Sequence, residues 1–295
     1  MISAIIVTFY PQQNRLSALI SALEGQVNNI FIIDNSPDDP AILLSMASSD
    51  VVVHPLGKNV GIAQAQNIGI KMSKERGAKD IILFDQDSIP SATLVSELLA
   101  ARECAARDGV TVAAVGPVHF DLDSGLPSRF VRTQGLALKL IKPDFKSVWF
   151  IADFIIASGS LISLEVLEEV GLMCDELFID CVDIEWGYRA QAQGLACVIA
   201  QGAKMDHKIG DKPLILLGRQ ITTHAPVRHY YFFRNVMLLL KRNYIPIGWK
   251  LNVSAKSLAQ AIIFTLLLKP RYTHFKYIAK GFIDGILGRT GPYER

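Results

Sequence analysis

The chain has 295 residues, half of them hydrophobic and 20% charged, with a net charge of +2. That balance provides for a sizeable core and excludes a globally disordered or collagen-like chain. It does not point to a nucleic-acid-binding protein, whose charge would be strongly basic.

From the start to about residue 200, short apolar runs alternate with helical patterns. "SAIIVTFY" (3–10), "NIFIIDN" (29–35), "VVVHP" (51–55), "KDIILFDQD" (79–87) and "VAAVGP" (112–117) predict buried strands. Residues 14–24, 39–48, 62–76 and 91–107 between them carry helical periodicity. Strands alternating with helices imply an α/β fold with a mostly parallel sheet covered on both faces. Residues 118–150, with Gly125, Pro127, Gly135 and Pro143, are less periodic and predict loops with irregular strands. "FIIASGSLISLEVLEEVG" (154–171) predicts a strand, a small-residue turn and a helix ended by Gly171. A further helix is expected from near Asp183 to Gly194.

After about residue 215 the composition changes. "HAPVRHYYFFRNVMLLLKRN" (224–243) is aromatic and basic, and "LAQAIIFTLLL" (258–268) is apolar between Lys256 and Lys269. The apolar segment is shorter than the ~20 residues a bilayer span requires. From Arg219 to Arg295 there are 13 Lys and Arg against Asp284 and Glu294, so a tail of charge +11 follows an acidic body. Two readings fit: helices lying on an anionic membrane surface, or a helical subdomain packed on the body. The chain thus divides into an α/β region (1–215) and a helical basic region (216–295). Cys104, Cys174, Cys181 and Cys197 form no CxxC and suit a reducing compartment. The opening residues carry no basic, then apolar, leader pattern, so no secretory signal is expected.

Several predicted strands end in polar clusters: Thr8 with Tyr10, Asp34 with Asn35, and Asp85 with Asp87. Open α/β sheets bind ligands beyond the carboxyl ends of their strands. There is no GxGxxG after the first strand and no GxxxxGK[ST], which disfavours a dinucleotide dehydrogenase and a P-loop NTPase. In "FDQDS" one carboxylate can accept from a ribose hydroxyl while the other holds Mg²⁺ or Mn²⁺, or the pair can cap the next helix. Asp34 can accept from a base N–H or form an Asx turn. In "NVGIAQAQNIGI", Asn59, Gly61 and Asn67 are candidate nucleotide contacts or turn and packing residues. His207 in "KMDHKIGD" is a structural histidine or an imidazole ligand. "LFIDCVDIEWGYRAQAQG" (177–194) sets Asp180, Asp183 and Glu185 among apolar neighbours, an arrangement costly for carboxylates without partners.

Taken in order, "VTFYP", "IIDNS", "NVGIAQAQNIGI", "FDQDS", "ASGSLIS", "LFIDCVDIEWGYRAQAQG", "DHKIGD" and "HAPVRHYYFFRN" resemble the bacterial rhamnosyltransferases of glycosyltransferase family two, over about residues 3–243. The resemblance implies a GT-A fold and inverting transfer from dTDP-β-L-rhamnose. The acceptor would be a lipid-linked glycan of a cell-surface polysaccharide such as O-antigen. It further implies a divalent metal and a place at the cytoplasmic face of the membrane. On this resemblance Thr8, Tyr10 and Asp34 hold the base, Asp85 the ribose, and Asp87 and His207 the metal. Asp183 is the catalytic base, with Asp180 as the competing candidate. His224, Arg228 and Tyr230 reach the diphosphate or acceptor, and Glu185 with Trp186 meets the acceptor sugar or takes an ordinary helix-acid and core-Trp role. A helix start at Asp183 would keep its carboxylate ionised through the helix dipole.

Overall fold

A computed structural model describes residues 1–122, 124–207, 214–216, 219–221 and 223–293, the side chains of 207, 214–216 and 219–221 excepted. The chain begins β1 (Ile2–Thr8), α1 (Gln13–Leu23), β2 (Asn29–Asp34), α2 (Ala41–Leu44), β3 (Val51–Pro55), α3 (Ile62–Glu75), β4 (Asp80–Asp85), β5 (Ile89–Pro90) and α4 (Leu94–Arg107). It continues β6 (Val112–Asp121), β7 (Phe130–Gln134), β8 (Ala137–Ile141), β9 (Trp149–Ala152), β10 (Leu161–Ser163) and α5 (Leu164–Val170). A 3₁₀ turn at Asp175–Leu177 precedes α6 (Val182–Ala192), β11 (Ala196–His207), β12 (Leu214–Leu216) and β13 (Arg219–Ile221). Three helices follow: α7 (Pro226–Leu240), α8 (Ile247–Leu267) and α9 (Arg271–Leu287).

The main sheet runs β3-β2-β1-β4-β10-β6-β11-β5, with β9 pairing β11. β3, β2, β1 and β4 are mutually parallel, and β11 is parallel to β6, while β10, β5 and β9 run the other way. Side chains alternate across the sheet, as a period of two requires. Ile5, Val7, Phe31, Ile33 and Leu83 pack on the face covered by α3, α6 and α7. Ala4, Ile6, Ile32, Ile82 and Phe84 pack on the face covered by α1 and α4. The register pairs Thr8 with Asp34 and Val7 with Asp85, so the polar residues at three strand ends arrive side by side.

Two expectations are corrected. The helix expected over 39–48 is the single turn α2, because Ser45 and Ser48 bond nearby backbone groups and end it. The strand expected in "FIIA" lies seven residues later, as β10, because Ala157–Ser160 forms a turn in which Gly159 takes φ +81° and donates to Leu83. The stretch 118–150, where loops with irregular strands were expected, carries the hairpin β7–β8 and the first residues of β9.

The last helices are seated by small residues. A Cβ on Gly281 would lie 2.5 Å from the carbonyl oxygen of Tyr230, and one on Gly285 would lie 2.5 Å from that of Arg234. Among the described residues no helix is long and apolar enough to cross a membrane. Because backbone blocks relief at Gly285, Gly285→Leu is expected to cost about 1–3 kcal/mol of stability. Thermal denaturation checks this; an unchanged melting temperature would show that α9 is not seated as described.

Candidate active site

The strand ends fix the first part of the site. Thr8 Oγ1 donates to Asp34 Oδ1 at 2.7 Å, and Ser36 donates to the same oxygen through Oγ at 2.8 Å and its N–H at 3.3 Å. The carboxylate of Asp34 is thereby held in one orientation although it is almost wholly buried. The N–H of Tyr10 donates to Ser36 Oγ, and Tyr10 projects into solvent edge-to-face with Phe9. Asn35 ties this corner to the next loop, accepting from Val60 N–H and donating to the Gly61 carbonyl.

Asp85 and Asp87 follow β4. The N–H of Asp85 donates to Ser158 Oγ at 3.1 Å, and Ser158 and Ser88 share a hydroxyl bond of 2.5 Å. His119 Nε2 lies 2.9 Å from the Ser158 carbonyl oxygen. Asp85, Asp87, His119, Asp180, Asp183, Arg129, His224 and Arg228 line one open cleft of about 1240 Å³. That exceeds the ~300–1,000 Å³ usual for a single small molecule.

The loop before α6 presents the remaining acids. Phe178 has φ 62° and ψ −64°, and Ile179 N–H donates to the Leu177 carbonyl, closing a γ-turn of the rare, strained hand. Asp180 and Cys181 then take left-handed φ values of 64° and 63°. Three groups brace this backbone. Asn235 Nδ2 donates to the carbonyls of Leu177, Ile179 and Asp180 at 2.9, 2.7 and 2.8 Å. The fully buried Arg234 donates to Leu177 and Glu176 carbonyls and through Nε to Asn235 Oδ1. The Ile62 N–H, at the open start of α3, donates to the Phe178 carbonyl at 2.7 Å. Gly61 makes that approach feasible: at φ +88° it has no Cβ, which would otherwise sit 2.6 Å from the same oxygen.

The two acids of the loop diverge. Asp180 is paired with Arg228, whose Nε and Nη2 lie 3.1 and 3.0 Å from Oδ1. Among the described residues Asp183 has no such partner; it accepts from the Ile184 N–H at 2.9 Å. Burial, with the negative charges of Asp180 and Asp85 behind it, pushes its carboxyl up to about 6. The helix dipole was expected to dominate here. Desolvation wins instead, because the half-buried side chain is packed into the cleft wall. The buried Cys181 thiol is driven well above its ordinary value and remains a protonated, unreactive group.

Of the residues singled out from the sequence, Asp85, Asp87, Asp183, Arg228 and His224 meet in the cleft. Thr8, Tyr10 and Asp34 form the adjoining corner. Asn59 and Gly61 shape the loop at α3, with Asn59 Oδ1 accepting from Gly61 N–H. Asn67 is committed elsewhere: its amide donates to Met173 and Asp175 and accepts from Met173 N–H. Glu185 and Trp186 were candidate acceptor contacts, and the structure turns both into the body. Glu185 is 2% exposed, chelated by Arg189 and bonded by Tyr244, and Trp186 Nε1 donates to the Gly171 carbonyl. Tyr230 likewise faces α9, donating to Asp284. The side chain of His207 lies outside the described residues. Sequence reading missed Arg129, His119, Ser158 and the Arg234–Asn235 pair. A usable signal existed for Asn235, which stands seven residues after Arg228 and so on the same helix face.

Residues 4–171 match the family described as Glycosyl transferase family 2. The chain belongs to that family. It is 37% identical over 295 residues to the dTDP-rhamnosyl transferase RfbF of Shigella flexneri, covering 98% of this chain and 97% of the relative. This glycosyltransferase also superposes on the crystal structure of GalNAc-T7 with UDP, GalNAc and Mn²⁺ (TM-score 0.61, 13% identity, 97% of this chain and 56% of the other). A second superposition is with S. aureus TarS 1–349 in complex with UDP-GlcNAc (TM-score 0.59, 11% identity, 97% and 81%). The chain therefore spans only about half the length of the GalNAc-T7 structure. At such identities the likeness shows the fold alone: GT-A, with a mostly parallel central sheet and C-terminal helices.

Two outcomes are expected. Asn235→Leu strips donors from three loop carbonyls and should cost about 1–3 kcal/mol, read as a lowered melting temperature with faster exchange of the Ile62 amide. Asp183→Asn should raise the melting temperature at neutral pH. The folded pKa is raised, so this group favours folding at low pH and that advantage is lost as pH climbs from 3.8 through about 6. The difference between Asn and Asp should accordingly shrink toward pH 4; the same shift at both pH values would contradict the burial argument.

Proposed function

We propose that this glycosyltransferase transfers L-rhamnose from dTDP-β-L-rhamnose to a lipid-linked saccharide in cell-surface polysaccharide synthesis, such as that of O-antigen. It would act at the cytoplasmic face of the membrane with inversion at the anomeric carbon. The observation that carries the reading is the pairing of near full-length similarity to a dTDP-rhamnosyl transferase with Asp183, which has no ion-pair partner among the described residues, in the acidic cleft.

In this reading residues 1–215 bind donor and acceptor, and residues 216–295 brace the catalytic loop and meet the membrane. Thr8, Tyr10 and Asp34 receive the base, with Asn59 and Gly61 shaping the adjoining loop. Asn67 acts only through the 173–175 segment. Asp85 takes the ribose side. Arg228, held by Asp180, aims a guanidinium at the diphosphate, and His224 stands four residues before it, just ahead of α7. Glu185 and Trp186 support α6 from behind and are not assigned to the acceptor.

The donor set fits a divalent metal. Asp85 and Asp87 offer carboxylate oxygens in one cleft, the ligand type Mg²⁺ and Mn²⁺ prefer. Among the described residues no three His, Cys, Asp or Glu stand ready as a preformed cage. Mg²⁺ is commonly held by one or two carboxylates together with substrate phosphates. Asp87 would hold it, with His207 as the second protein ligand. When bound, the metal offsets charge on the leaving diphosphate. Asp183 accepts the proton of the acceptor hydroxyl as that oxygen attacks. With a carboxyl near 6, it is ionised at neutral pH yet basic enough to take the proton. One displacement inverts the centre, so no protein nucleophile is needed.

Asp183→Asn is expected to abolish transfer while dTDP-rhamnose still raises the melting temperature. Asp87→Ala should remove the metal-dependent part of that shift. Wild-type transfer should climb about tenfold per pH unit below 6 and level above it. A larger thermal shift from UDP-sugars than from dTDP-rhamnose would overturn the rhamnosyl assignment, and transfer by Asp183→Asn would overturn the base.

A further inference from the structure

We infer that the β7–β8 hairpin and the exposed stripe of α8 form one surface that docks on an anionic lipid bilayer, setting the acceptor side of the cleft against the membrane. This deepens the reading of a lipid-linked acceptor and rests on it for the acceptor's identity, but the surface itself is argued from the fold.

The hairpin begins in the cleft. Arg129, Phe130 and Val131 line its wall on the β6 side, away from the strand ends that hold Thr8 and Asp34. The buried Asp153 anchors the hairpin, accepting from Thr133 N–H at 2.6 Å and donating its own N–H to the Val131 carbonyl at 2.8 Å. At the other end the turn lies on α8. Asn252 Nδ2 donates to the Leu136 carbonyl at 2.9 Å, and Gly248 has no Cβ where one would meet the Gly135 carbonyl at 2.3 Å. Cleft, hairpin and α8 are thus continuous.

That continuous surface is apolar where it meets solvent. Leu136 and Leu140 on the hairpin are more than half exposed. So are Ile247, Leu251, Leu258, Ile262 and Leu266 on α8, at spacings of four, seven, four and four residues that put them on one helix face. Soluble monomers rarely leave such a contiguous stripe uncovered. Its charge chooses the occupant. Residues 129–142 carry Arg129, Arg132, Lys139 and Lys142 and no acid, and α8 carries Lys250 and Lys256 and no acid. A second copy would set these cations against their own kind, whereas phosphate headgroups pair with them while the leucines enter the acyl boundary.

The test is sedimentation of the full chain with vesicles of phosphatidylcholine, with and without phosphatidylglycerol. Wild type should bind the anionic vesicles preferentially. Leu136→Gln with Leu251→Gln, and separately Lys139→Gln with Lys256→Gln, should each weaken that binding on the order of tenfold. All four side chains are exposed, so melting temperatures and the dTDP-rhamnose thermal shift should be unchanged. Wild type that ignores anionic vesicles, variants that bind as wild type does, or a wild-type dimer that the leucine variant dissolves would each overturn the docking surface. Absence of any dTDP-rhamnose shift with vesicle binding intact would sink the donor assignment and leave the surface standing.

Discussion

Phe178, Asp180 and Cys181 adopt positive φ, which L side chains avoid at a cost of about 1–3 kcal/mol each. Such a backbone persists only when its surroundings over-determine it, and here the amide of Asn235 bonds three of its carbonyls at once. Arg234 fixes that amide through Oδ1 and adds its own bonds to the same segment. Fold and site depend on this clamp together. It docks α7 on the body, sets the direction in which Asp180 leaves the loop, and starts α6 so that Asp183 faces the cleft.

The clamp also separates two carboxylates three residues apart. Asp180, met by a guanidinium fork, is an ion-pair partner that aims Arg228. Asp183 is desolvated and faces the negative charges of Asp180 and Asp85, which outweigh the hydrogen bond from the Ile184 N–H, so its proton affinity rises. Environment, not residue type, distinguishes them, as where two nearby acids are tuned to different tasks.

The periodic parts of this molecule were legible in the sequence. The runs ending at Thr8, Asp34 and Asp85 are buried on both faces, so their apolar composition announced them as strands, and the acids at their ends lie where ligands bind. The β7–β8 hairpin was not legible. Its residues are half exposed on both faces, and its stability comes from Asp153 and α8, both distant in the chain. Glu185 misled for a related reason. Its two partners, Arg189 and Tyr244, lie four and 59 residues away, and only the fold shows that both its oxygens are occupied. Arg234 and Asn235 were quoted within an aromatic, basic segment, but their work is done on carbonyls, which have no sequence signature.

One oxygen links the halves of the site. The Phe178 carbonyl receives the first N–H of α3, and Gly61 allows the contact. The loop beside the Thr8–Asp34 corner and the loop carrying the acids are therefore one mechanical part. For protein engineering, the transferable module is not the acid loop by itself. It is residues 59–62, 177–183 and 234–235 together, and a chimera exchanging any one of these segments alone inherits a helix start without its acceptor or a strained turn without its brace.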